Sequence, residues 1–487
     1  LTAGAIVGAS RGRAVAETGT APLRIQRDPF RLCLFLLTIV TVSRVHQHWH
    51  AIAVLRPALV LAVFSVAYAF LNPKYLETAN LRYWPARLIA AIGIWACISA
   101  PFGISLGGSA SYILFEFSKT LAFAFLVIVA IRGASDLYTF VWAYVISSTI
   151  LCYFSIFVFG LSRASGSYAE RLSNLYTFDA NDVGLVLLIG LSLTLLAFQT
   201  SRGKAKVFAG VTLLAIGATL ARTGSRGAFV GLVAFGLATL VLLKTVPLAK
   251  RLASLAAVII ALVAFAPEGY WEQMATLVTP TQDYNWNTRD GRREVAKRGI
   301  GYMLSYPIFG LGMKNFWRAE CFLSEKAQTH VAGTGLRCTP PHNSYLEAGS
   351  ELGLPGLAMW VSLVFGCIGA GLRIRRRLPA RWSRGDPEER FLYLASMYIP
   401  LAMISFAVTS LFLTFAWLDM VYFVAALTVG LYVAVERKRR GSLVAAPAAG
   451  RRPAAPVAAG PPASPVLMPR SRRRGAPVEP QFLTPPE

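Results

Sequence analysis

Apolar residues fill most of this chain in long, almost uncharged blocks. "GAFVGLVAFGLATLVLL" (227–243) and "LASLAAVIIALVAFA" (252–266) approach or reach the roughly 20 residues that carry a helix across a bilayer. Similar blocks near 30–44, 52–71, 88–105, 113–131, 136–160, 182–200, 206–221, 349–372, 391–411 and 414–434 bring the prediction to about twelve helices. Neither a repeat of 20 to 50 residues nor a heptad pattern accompanies them. The expected fold class is therefore all-α, a polytopic membrane protein of about 12 transmembrane helices with one long loop over residues 267–348.

Composition agrees with that pattern. Of 487 residues, 55% are hydrophobic and only 15% charged, too little charge to coat a soluble particle of this size. No stretch reads as a soluble catalytic domain. Arg24, Arg27 and Arg31 precede or open the first apolar block without a convincing small-residue cleavage site, so a retained helix is expected rather than a signal peptide. The chain begins at Leu1, which fits a non-methionine start or a truncation.

Charge then orients the helices. With a cytoplasmic N-terminal segment (1–29), Lys74, Arg82, Arg87, Arg132, Arg202, Lys204, Lys206, Lys250 and Arg251 fall in cytoplasmic loops. "RIRRRLPARWSR" (373–384) and "ERKRRGS" (436–442) join them, as the positive-inside rule requires. The expected organisation is a transmembrane domain over 30–435 followed by a basic Pro/Ala-rich cytoplasmic tail, 436–487, whose composition cannot build a core. Loop 267–348 then lies on the outer face.

The opposite face also carries cations. Arg163, Arg171, Arg222 and Arg226 lie there, and "NTRDGRREVAKRG" (287–299) adds Arg289, Arg292, Arg293, Lys297 and Arg298. Arginine at the translocated surface runs against the orientation rule, and phosphate is the ligand whose oxygens match guanidinium forks. The alternative for Arg289, Arg293 and Lys297 is the wet face of an amphipathic helix. Arg226 stands apart, in a minimal turn between two apolar helices. Cys321 and Cys338, 17 residues apart in the long loop, can pair as a disulfide in an oxidising compartment.

"CTPPHNSYLEAGSELGLPG" (338–356) places His342 where the chain returns to the membrane, behind Pro340 and Pro341 and ahead of Gly349, Gly353 and Gly356. His342 and Asn343, then nine residues, Gly353, two residues and Gly356, resemble the signature of the bacterial O-antigen ligase and O-antigen polymerase family. Three further stretches resemble that family in the same order: "FDANDVG" (178–184), "GSRGAFVGL" (224–232) and "GRREVAKRGIGYMLSYPIFGLGMKNF" (291–316). Tyr306 stands where the family commonly has histidine, and Ala296 where it commonly has tryptophan.

The resemblance implies an inverting, metal-independent glycosyltransferase of a bacterial inner membrane, with loop 267–348 and the site facing the periplasm. Its donor is a glycan linked to undecaprenyl diphosphate, and its acceptor is lipid A core or another glycan. On that reading His342 is the base for the acceptor hydroxyl, and Arg226 with Arg292 stabilises the departing diphosphate. Arg171, Arg222, Arg289, Asn343 and Tyr345 are the expected substrate contacts, with Arg289 the substitute for Arg292. Membrane lipids are the other expected partners; no nucleic acid, metal or cofactor is expected. Ligase and polymerase share the motif and stay open, as does a polysaccharide or lipid transporter, whose binding residues would gather nearer the midplane.

Two smaller groups carry their own expectations. Asp179 and Asp182 fit a helix cap, and the alternating His46, His48 and His50 suit an interfacial turn better than a metal site.

Overall fold

In this computed structural model the chain is described over residues 23–445, apart from 49, 164–166, 174, 245, 280–285, 287, 289–290 and 329–337. The helices in chain order are α1 (Pro29–Ser43), α2 (His50–Val54), α3 (Pro57–Leu71), α4 (Trp84–Ser99), α5 (Leu106–Tyr112), α6 (Ser118–Ala130) and α7 (Ala134–Phe157). They continue as α8 (Ala180–Thr200), α9 (Gly203–Thr223), α10 (Arg226–Leu242), α11 (Leu248–Phe265), α12 (Tyr270–Ala275), α13 (Arg292–Ser305) and α14 (Phe316–Phe322). The last are α15 (Glu325–Gln328), α16 (Ser344–Arg377), α17 (Pro387–Thr409) and α18 (Asp419–Ala445). A π-helical turn, Ile113–Phe117, joins α5 to α6.

The protein is a largely α-helical polytopic membrane protein. Among the described residues ten helical segments are long and apolar enough to cross a membrane, while α1 and α10 are apolar but shorter. The expected count of about twelve is met only with those two included. α17 and α8 form the centre, their apolar windows 89% and 78% buried, whereas α11 is only 11% buried and presents its apolar surface outward, as lipid-facing helices do.

Several elements differ from expectation. A two-residue antiparallel hairpin, β1 (Leu161–Ser162) with β2 (Arg171–Leu172), interrupts the all-α pattern. Among its described residues the long loop 267–348 holds four α-helices, α12 to α15. The final helix begins at Asp419 rather than 414, because residues 413–418 take an irregular path, and it continues past 435 to Ala445. Beyond 445 the expected tail lies outside the described residues.

Local chemistry explains the helix ends that matter here. Asp179 and Asp182 form a capping box at the start of α8, as their spacing suggested. Inside α16, Gly353 has φ 69° and ψ −176°, and Pro355 follows without an N–H, so the helical ladder breaks. The freed groups find partners elsewhere: Leu354 N–H donates to Pro307 O, and Leu311 N–H donates to Ser350 O, both at 2.8 Å. The Trp95 indole donates to Leu352 O at 2.9 Å. A break at membrane depth is tolerated when the released backbone groups are satisfied by protein.

Candidate functional site

The segment 412–417, between α17 and α18, organises the site. His342 donates its backbone N–H to Thr414 Oγ1 at 3.0 Å. Ser344 Oγ donates to Leu413 O at 2.8 Å and accepts from Phe415 N–H at 2.9 Å. One turn further, Glu347 Oε2 accepts from Ala416 N–H at 2.9 Å. Glu351 Oε2 then accepts from the Trp417 indole at 2.8 Å. His342 itself is half-exposed and has φ 46°, a left-handed conformation uncommon for a side-chain-bearing residue and held here by this stitching.

The Arg226 turn meets the same segment through its neighbour Gly227. Arg226 opens α10, is buried, and donates from Nη1 to Thr276 Oγ1 at 2.7 Å, just past the end of α12. Its neighbour Gly227 lies directly against Phe412, where a β-carbon would come within 2.8 Å of Phe412 Cβ. The turn that carries Arg226 and the backbone of His342 thus contact residues only two apart, Phe412 and Thr414.

The remaining expected contacts divide. Arg171, on β2, packs over the left-handed Gly224 turn beside Arg226 and donates to Thr223 O at 3.1 Å and Asn181 Oδ1 at 2.7 Å. Arg292 is the first residue of α13 and half-buried; α13 packs on α16, with Gly299 against Leu346 and Gly349 against Met303. Arg289 lies outside the described residues.

Three residues expected to touch substrate direct their polar groups to the protein. Arg222 donates to Ser155 O at 3.0 Å and Phe159 O at 3.3 Å, closing the end of α7. Asn343 is the N-cap of α16, its Oδ1 accepting from Tyr345 and Leu346 N–H. The Tyr345 hydroxyl donates to Ala407 O at 2.9 Å, and its ring meets Trp360 edge-on.

The cationic run on α13 also resolves into distinct roles. Arg298 makes a two-pronged pair with the fully buried Glu320 at 2.8 and 2.7 Å, and the Tyr302 hydroxyl donates to the same carboxylate at 3.1 Å. Burial, and then the Glu320 charge, push the Tyr302 hydroxyl well above its ordinary range. Lys297 pairs with Glu294 at the surface, and Arg293 is exposed, which is the wet-face arrangement. Cys321, in α14, is joined to Cys338, four residues before His342, with Cα atoms 5.2 Å apart.

Glycines bind the 306–316 turn to the break in α16. Gly310 (φ 70°) and Gly312 (φ 84°) make that turn possible, and Glu351 Oε2 and Oε1 accept from Lys314 and Phe316 N–H at 2.7 and 3.1 Å. The Glu351 oxygens thus fasten two distant segments, the 306–316 turn and Trp417. Thr276, Thr414 and Glu320 carry no local motif and were missed for that reason.

An apolar groove of about 1140 Å³ runs between α9, α10 and α11, with Trp271 of α12 in its lining. Elsewhere, His48 stacks on Phe154 with ring centroids 3.9 Å apart, just after the short helical turn Val45–Gln47 that carries His46. Among the described residues no three His, Cys, Asp or Glu side chains gather closely enough to hold a metal ion.

The family model described as O-antigen ligase matches residues 211–361. That stretch runs from within α9 to within α16 and includes Arg226, Arg292, His342 and the Gly353 break. None of the curated proteins matches the chain.

Proposed function

We propose that this polytopic protein, which carries an O-antigen ligase family domain over residues 211–361, transfers a glycan from a polyprenyl diphosphate carrier to a sugar hydroxyl on an acceptor glycan. The observation that carries the reading is the joint anchoring of His342 and the Arg226 turn on residues 412–414. A proton acceptor and a buried guanidinium held on one rigid segment are what such a transfer requires.

In the reaction, the acceptor oxygen forms a bond to the anomeric carbon as the bond from that carbon to the diphosphate oxygen breaks. The leaving diphosphate takes the bonding electrons, the His342 imidazole takes the hydroxyl proton, and configuration inverts. A neutral imidazole, with an ordinary pKa of about 6.5, suits that role. Arg226 and Arg292 face the charge that develops on the leaving diphosphate, and Arg171 supports the Arg226 turn. Fixed cations aimed at developing charge lower the barrier more than they stabilise bound donor.

The isoprenoid tail occupies the apolar groove along α10, whose first residue is Arg226. The disulfide beside His342 suits an oxidising compartment, which favours a periplasmic site in an inner-membrane protein. Ligase and polymerase use the same residues and differ in the acceptor.

Deletion of the gene in its native host, with glycolipids run on a gel and carrier-linked glycans quantified, tests the proposal. Long polymer accumulating on the carrier beside bare acceptor lipid identifies a ligase. Acceptor lipid capped with a single repeat identifies a polymerase. An unchanged profile removes the assignment.

A further inference from the structure

A second cavity lies beyond the site described above. It has a volume of about 460 Å³, within the range of ligand pockets, and lies between the start of α5 and residues 314–318. Its walls include Lys314, Arg318, Trp317, Tyr112, Gly107 and Glu116. Glu116 pairs with Lys119 at 3.1 Å, Arg318 makes no ion pair with a described carboxylate, and the charge of Lys314 acts on the buried Glu347 and Glu351 without a direct ion pair. Both cations instead lie over aromatic rings: Lys314 Nζ is 5.5 Å from the Tyr112 centroid, and the Arg318 guanidinium carbon is 5.0 Å from that of Trp317. Asn315 Oδ1, fully buried and without a hydrogen-bond partner, sits against the Gly108 wall, 2.9 Å from where a β-carbon would be.

This pocket is fixed relative to the proposed catalytic residues by the same segment. Along 412–417, Phe412 meets the Arg226 turn, Thr414 holds His342, and Trp417 holds Glu351, which in turn holds the Lys314 and Phe316 amides. The contact order is therefore Arg226, His342, Lys314. Six residues reach at most about 20 Å end to end even when fully extended, which bounds the separation of the three anchor points on this segment. The disulfide from α14 to Cys338 ties the pocket to the His342 approach a second time.

We propose that this cavity binds an anionic sugar of the acceptor glycan, on the side of His342 opposite the donor diphosphate. The inference rests on the transferase reading, because it is the base that must stand between donor and acceptor. The Arg318 guanidinium and the Lys314 ammonium recognise a sugar phosphate or carboxylate, the Trp317 and Tyr112 rings face its apolar surface, and Glu116 accepts from hydroxyls.

Binding to the full-length protein in lipid nanodiscs tests this, with glucose 6-phosphate, glucuronate, glucose and inorganic phosphate as probes. Glucose 6-phosphate and glucuronate are expected to bind more tightly than glucose or phosphate. Arg318→Gln and Trp317→Leu each weaken them about tenfold or more, a change of about 1.4 kcal/mol, while Arg226→Gln leaves them unchanged. Gly107→Leu blocks the pocket without disturbing the fold, since a β-carbon there meets nothing within 4 Å.

The proposal is overturned if neither anionic sugar binds, if both bind equally well to all three pocket variants, or if phosphate competes equally and Trp317→Leu has no effect. A transfer assay separates the two readings. If pocket variants lose sugar binding while Arg226→Gln and His342→Gln enzymes still transfer glycan, the catalytic assignment has failed and the saccharide site stands.

Discussion

Glu351 and Trp417 meet through a hydrogen bond of 2.8 Å from the indole to a fully buried carboxylate. The same carboxylate accepts the Lys314 and Phe316 amides, so three N–H donors converge on two oxygens. Glu351→Gln turns one oxygen into an NH₂ facing a donor and is expected to cost about 1–3 kcal/mol, and Glu351→Ala more, since it strands all three. Thermal unfolding of the purified protein checks this; an unshifted midpoint for Glu351→Ala would show that the convergence does not hold the segments together.

Gly353 is expected to tolerate no side chain. At φ 69° a β-carbon there would approach Ile308 O to 2.2 Å, so Gly353→Ala combines about 1–3 kcal/mol of backbone strain with a clash against backbone. Gly301→Ala on α13 is the control, because its β-carbon meets nothing and alanine favours the helix by about 0.5–1 kcal/mol. Folded yield of the two variants by size-exclusion chromatography should diverge in opposite directions from wild type.

These two positions show what could be read from the chain. α8 and its Asp179 cap were legible because an uncharged run and a capping spacing are local features. α16 was expected five residues late, because its first turn carries Glu347 and polar neighbours that interrupt the apolar run while packing inward. Arg226 and His342 stood out by motif, yet the segment that links them did not, since Phe412 meets Gly227 from 185 residues away and Thr414 meets His342 from 72. Asn343, expected as a substrate contact, also caps α16 through Oδ1, and an asparagine directly before a helix is itself a local capping signal.

The Cys321–Cys338 bond closes a loop of 17 residues, which by chain entropy contributes about 3 kcal/mol. Cys321→Ser, Cys338→Ser and the double variant should therefore lower the unfolding midpoint equally, and reductant should lower wild type to the same value. Thiol labelling before and after reduction provides the count. A double variant clearly less stable than either single one would mean that the cysteines act separately.

Acidification should loosen the turn between α1 and α2. Burial, and then the nearby His46, lower the His48 pKa below its ordinary 6.5, while burial followed by Arg44 lowers that of His46. Between the lowered values and 6.5 the unfolded chain binds more protons than the folded one, so stability falls as pH drops through this window and is retained above it. His48→Phe, which keeps the stack on Phe154, should flatten the dependence of the unfolding midpoint between pH 7 and 5.

The central claim is that His342 removes the acceptor proton on the segment it shares with the Arg226 turn. Single-turnover transfer by the purified protein tests it, using carrier-linked glycan and acceptor glycolipid extracted from the deletion host. His342→Gln should reduce the rate by about 10²–10⁴-fold with donor and acceptor binding retained. A His342→Gln enzyme transferring glycan within tenfold of wild type would contradict the account.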